Sequence, residues 1–105
     1  MIQEEKDLLL KDLCARLPYG VKIQNTISKD VYNLFEMMYC LPVALATNFR
    51  PYLRPMSSMT EEEKRQEDNT VMMFLQDFYN SRHLDYRGLI EKGLALEAPK
   101  GMYKL

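Results

Sequence analysis

The sequence predicts an α+β fold, mostly helical, with three or four helices packed on a small antiparallel sheet. Three stretches, near 3–16, 29–40 and 71–81, space their apolar residues at helical intervals, whereas residues near 20–25 and 94–98 alternate with a period of two. A third observation is the segment Phe49–Glu63 (FRPYLRPMSSMTEEE), whose two prolines forbid a helix before a run of hydroxyls starts one. A chain of 105 residues is long enough to bury one core without metals or disulfides, so a single domain over 1–105 is expected.

In the first stretch Leu10, Leu13, Cys14 and Leu17 follow the i, i+3, i+4, i+7 pattern, with Leu9 widening the stripe. Asp7–Lys11 and Asp12–Arg16 read as acid-before-base pairs at i, i+4, worth a few tenths of a kcal/mol each. Pro18 ends that helix, Tyr19-Gly20 turns the chain, and Val21, Ile23 and Asn25 alternate with Lys22 and Gln24 as a short strand. Ser28 is a candidate N-cap for a second helix to Cys40, with Val31, Leu34, Phe35 and Met38 on one face. A strand competes there, since β-branched and aromatic residues favour it, but Leu34-Phe35 and Met37-Met38 break the alternation. Val43–Ala46 follows Pro42 as a short buried strand or a packed connection.

Pro51 and Pro55 fix their own φ and push Arg50 and Arg54 toward extended geometry. Thr60-x-x-Glu63 is a capping box, and Glu61–Glu63 suit the positive end of a helix dipole. The segment is an extended latch feeding a helix. Asp68-Asn69-Thr70 restarts the chain, although one helix over 61–81 meets no Gly or Pro. Val71, Phe74, Leu75, Phe78 and Tyr79 then form the cleanest helical pattern in the protein and should supply its largest buried face. Gly88 and Gly93 suit left-handed turn positions around Leu89-Ile90, and Leu94–Ala98 alternates as a last strand before a loose tail.

The formal net charge of −1 gives no bulk reason to expect a polyanion partner. The start, MIQEEKD, is acidic where a signal peptide would be basic. Met37–Ala46, the longest mostly apolar run, falls well short of the roughly 20 residues that span a bilayer. A cytoplasmic protein without a membrane segment is expected, with Cys14 and Cys40 as reduced, buried thiols.

Three co-linear blocks, LLKDLCARLPYGV (Leu9–Val21), PYLRPMSSMTEEE (Pro51–Glu63) and HLDYRGLIEKGLALEAPKGMY (His83–Tyr103), cover about half the chain. Together they resemble a group of small uncharacterised proteins of gut Bacteroidales, often found in phage-like or mobile regions. The stretch from about Gln24 to Asn48 departs from the group, many of whose members carry a longer, strand-rich insert there. The resemblance implies a bacterial, phage-related setting and no activity, and carries over no functional residue.

No stretch carries a chemical signature above background. His83 is the only histidine, and Cys14 and Cys40 lack C-x-x-C spacing, so neither a metal site nor a cofactor is expected. A helix C-terminal His83 beside the last carbonyls is the plainer reading than a Cys–His pair. Ser57 and Ser58 lack a nucleophile elbow and an S-x-x-K lysine. Asp85, Glu91 and Glu97 could only be imagined as paired carboxylates in a chain with 15 acids. Gly88 and Gly93 fit no phosphate loop.

One arrangement stands out: Arg50-x-Tyr52-x-Arg54 would share a face of an extended segment, two guanidinia flanking one ring, as a candidate partner or anion contact. Its alternative is structural, the arginines pairing with Glu61–Glu63 while Tyr52 packs inward. The expected function is a non-enzymatic, intracellular protein-interaction module with an unidentified protein partner. The run Met37–Leu41 exceeds one helix face and suggests a homodimer. A nucleic-acid accessory role through Arg50, Tyr52 and Arg54 is the alternative.

Overall fold

The first helix, α1, spans Gln3–Arg16, with Glu4 and Glu5 in its first turn and Arg16 in its last, as the helix dipole favours. The computed structural model describes residues 2–36 and 49–103. Gly20, at φ 73°, turns the chain out of a 3-10 turn over Leu17–Tyr19 and into strand β1, Lys22–Asn25. Asn25 then folds the chain back: its Oδ1 accepts from the N–H groups of Ile27 and Ser28, at 2.9 and 3.2 Å. Lys29 completes the turn in the left-handed region, and β2, Val31–Asn33, pairs antiparallel with β1.

That hairpin replaces the helix expected from Ser28 onward. The Asx turn at Asn25 and the left-handed Lys29 reverse the chain, so Val31 and Tyr32 meet a partner strand that local periodicity could not reveal. Residues 34–36 form a 3-10 turn. Of the four positions expected on one buried face, Leu34 is buried, Val31 and Phe35 are exposed, and Met38 lies outside the described residues. Val43–Ala46, Cys40 and the Met37–Leu41 run lie outside them too.

The latch forms as the prolines dictate and is the hub of the sheet. Strand β3, Phe49–Leu53, lies between β1, antiparallel to it, and β4, Leu96–Glu97, parallel to it. The order is β2-β1-β3-β4. The expected antiparallel sheet of residues near 20–25 and 94–98 is therefore corrected to a mixed, four-stranded one, in which those two segments do not pair because β3 lies between them. β4 meets β3 only at Tyr52 and Leu53, past Pro51, which has no N–H to give to a ladder.

Helix α2, Glu61–Asp68, carries the capping box as read: Glu63 N–H donates to Thr60 Oγ1 at 3.1 Å and Thr60 N–H to Glu63 Oε1 at 3.0 Å. The chain breaks at Asn69–Val71, runs through a 3-10 turn over Met72–Phe74 and ends in α3, Leu75–Ser81. Leu9, Leu13, Val21, Ile23, Leu34, Phe49, Leu53, Leu89, Leu94 and Ala95 form the core, with α1 on the face of β3 that carries Phe49 and Leu53.

Two burial expectations are corrected. The buried stripe of α1 is Leu9, Asp12, Leu13 and Arg16, rotated from the one expected, so Leu10 and Cys14 face solvent and Cys14 is a free, exposed thiol. The segment expected to bury most, Val71–Tyr79, contains no fully buried residue. Its two halves are turns of different pitch, 3.0 and 3.6 residues, so the single stripe in the sequence does not remain one face.

Candidate functional site

Charged residues lie deep in this protein, and they hold its segments together. Asp12 and Arg16 are both 0 % exposed. Arg16 Nε donates to Asp12 Oδ2 at 2.8 Å, and its Nη2 donates to Leu84 O at 2.6 Å. Arg87 Nε lies 3.1 Å from Asp12 Oδ1, close enough for an ion pair but off the hydrogen-bond line. Tyr86 packs against both guanidinia, with Arg87 4.8 Å and Arg16 5.4 Å from its ring centroid. One carboxylate on α1 thus fixes two arginines from different parts of the chain.

The second network is the latch itself. Arg54 donates from Nη1 to Glu63 Oε2 at 2.9 Å and from Nη2 to Glu63 Oε1 at 2.7 Å, a bidentate pair enclosed from solvent. The same two nitrogens also reach backbone carbonyls, Nη1 to Arg82 O at 3.0 Å and Nη2 to Ser58 O at 3.1 Å. The Arg54 guanidinium, aided by the Thr60 N–H, holds the Glu63 carboxyl down at about 2 against the cost of burial. Glu63 therefore serves two structures at once, the helix cap and the strand it follows.

Of the three residues singled out on the latch, Arg54 is committed to Glu63 and Tyr52 is buried. Arg50 donates to Gly93 O at 3.3 Å and Phe49 O at 2.8 Å, and bonds no acid among the described residues. The ring and two guanidinia present no common open face. His83 takes φ 60° just past α3 and stacks on Tyr103, ring centroids 3.7 Å apart. Its N–H donates to Asn80 O and its carbonyl accepts from Arg54 N–H, so the expected role near the last carbonyls belongs to its backbone. Burial, with Arg16 and Arg54 nearby, pushes the imidazole down to about 4, so it is neutral at pH 7. The Tyr103 hydroxyl donates to Tyr52 O at 2.7 Å and accepts from Lys22 N–H at 2.9 Å.

Two surface pockets adjoin these networks. The larger, about 450 Å³, includes Arg54, Ser57, Ser58, Glu97, Lys100 and Tyr103 in its lining. Ser58 Oγ donates to Pro55 O at 2.6 Å, a carbonyl that cannot act as a general base, and the Arg54 guanidinium there is already taken. The other, about 360 Å³, brings Asp85, Glu91 and Glu97 around one depression. Asp85 is occupied as a turn cap, its oxygens accepting from Leu89 and Ile90 N–H at 2.8 and 3.0 Å. Among the described residues no cluster of His, Cys, Asp or Glu could hold a metal ion, and no helix is long and apolar enough to cross a membrane.

The outward counterpart of this charged interior is Val71–Phe74. Val71, Met72, Met73 and Phe74 are 59, 85, 79 and 54 % exposed, four consecutive apolar residues projecting from one turn. Behind them Leu75, Phe78 and Tyr79 are half-buried, and Tyr79 is anchored by its ring against Tyr86 and its hydroxyl on Glu67 Oε2. Sequence periodicity marked Val71 and Phe74 but put them inside, and passed over Met72 and Met73. Comparison with protein-family models, curated proteins and solved structures found no match for the chain.

Proposed function

We propose that this protein is a protein-interaction module whose contact surface is the apolar turn Val71–Phe74. The observation that supports it is the contrast in placement: two methionines, a valine and a phenylalanine stand in solvent while Arg16, Arg54, Asp12 and Glu63 are buried beside the apolar core. Exposing adjacent large apolar side chains is unfavourable for a free monomer and marks a contact surface. Methionine suits the task, because its unbranched, polarizable side chain adapts to partner surfaces of different shape. The reading is one of binding, in the cytoplasm, without catalysis. The resemblance of the three sequence blocks is the support for looking for the partner among products of mobile or phage-like elements.

The test is a comparison of two baits in host lysate, the wild-type chain and Met72→Gln/Met73→Gln. A protein retained by the first and lost by the second, with the melting temperature unchanged, is the expected result. Equal capture by both baits overturns the assignment of the surface.

A further inference from the structure

In sequence, the exposed apolar turn is flanked by charge of one sign. Between Gln66 and Ser81 the chain carries Glu67, Asp68 and Asp77 and not a single Lys or Arg. Asp68 and Asp77 are exposed and stand three residues to either side of the Val71–Phe74 cluster. The bases nearest in sequence already have partners: Arg65 pairs with Glu62, and Arg82 donates to Gln66 Oε1 at 2.8 Å and lies over the Phe78 ring at 5.8 Å. An apolar contact that excludes water lowers the local dielectric at its edge, so charges beside it act more strongly than in open solvent.

Resting on the reading just given, we propose that the occupant of this surface is a protein segment that pairs apolar side chains with flanking Lys or Arg, such as a basic amphipathic helix. Asp68 and Asp77 meet its cations while Met72, Met73 and Phe74 pack on its apolar stripe. A second copy of this chain is disfavoured by the same charges, because a two-fold interface sets each patch against itself and brings Asp68 and Asp77 near their own equivalents. An anionic lipid surface meets the same repulsion.

The experiment titrates the full chain with three amphipathic peptides of one length and one leucine pattern, their polar positions filled by Lys, Gln or Glu. The wild-type chain should bind the Leu/Lys peptide, and the Leu/Glu peptide not at all. Met72→Gln/Met73→Gln should weaken the Leu/Lys complex by about tenfold or more, the scale of one to two kcal/mol. Asp68→Asn/Asp77→Asn should weaken it several-fold and flatten its salt dependence. Equal binding of the Leu/Gln and Leu/Lys peptides, lost in the methionine variant, overturns the basic partner and leaves the apolar surface standing. Leu/Lys binding untouched by the methionine variant is nonspecific attraction to acids and overturns the proposal. Should no peptide bind, the proposal falls, and sedimentation showing methionine-dependent self-association would make a second copy the occupant.

Discussion

Arg54 and Phe74 lie twenty residues apart and occupy each other's customary places. The arginine is enclosed with a carboxylate and two carbonyls around it, whereas the phenylalanine stands half in water. What decides the difference is the availability of partners. Burying a guanidinium is tolerable only when charge and hydrogen bonds are both satisfied, and the latch supplies both through residues close in sequence. An apolar side chain needs only a surface to cover it, and the turn at Met72 offers none within the described chain.

The sharpest way to break this contrast is to orphan an interior charge. Asp12→Ala leaves Arg16 and Arg87 without their carboxylate and should cost about 3–5 kcal/mol in urea denaturation. Asp12→Leu combined with Arg16→Met should cost less than the single change, because one arginine, Arg87, is then left without its carboxylate instead of two. A double variant less stable than Asp12→Ala would show that shape, not charge, holds α1 in place. Arg54→Ala should follow, at about 2–5 kcal/mol, since Glu63 keeps only the Thr60 N–H.

Acid should attack the interior and spare the turn. His83 and Glu63 both have depressed values, so the unfolded chain takes up protons first and stability falls as pH drops. For His83 the loss runs from about 6.5 down to about 4. For Glu63 it continues from 4.5 down to about 2. His83→Asn, which tolerates the left-handed backbone, should remove the upper part of that decline in melting curves taken between pH 7 and 4. A decline of unchanged slope would discard the role given to the imidazole.

Smaller still is the cap. Thr60→Ala should cost about 0.5–2 kcal/mol, measurable as a shifted denaturation midpoint at constant slope. Least of all, Met72→Gln/Met73→Gln should change stability by no more than about 0.5 kcal/mol, because neither side chain is covered. A loss of several kcal/mol there would mean that the turn packs in solution and is no contact surface.

What could be read from the residues depended on how local the instructions were. Pro51, Pro55, Thr60 and Glu63 act within four residues of themselves, and the extended latch with its capped helix formed as they dictate. The boundaries of α1 were equally local. Its buried face was not, because choosing Asp12 and Arg16 over Leu10 and Cys14 requires Arg87 and Leu84 O from the far end of the chain. The spacing Leu9, Asp12, Leu13, Arg16 held that alternative, but charges at two of four positions argue for solvent unless partners are known. Residues 31–33 failed as a helix for a related reason, since strand pairing is a property of two segments. The apolar turn was visible as composition and misplaced as burial, because periodicity measures a stripe and not what lies opposite it.

The Tyr103 hydroxyl, bonded to Lys22 N–H and Tyr52 O, closes chain separations of 81 and 51 residues. Loops of that length are closed late, after shorter-range contacts have already restricted the ends. Contacts made beyond the folding barrier leave the folding rate alone and slow the escape from the native state. Tyr103→Phe should therefore steepen nothing on the refolding limb of a chevron while raising the whole unfolding limb. The tyrosine would act as a brake on unfolding, governing how long the native state survives under a protease more than how quickly it is reached.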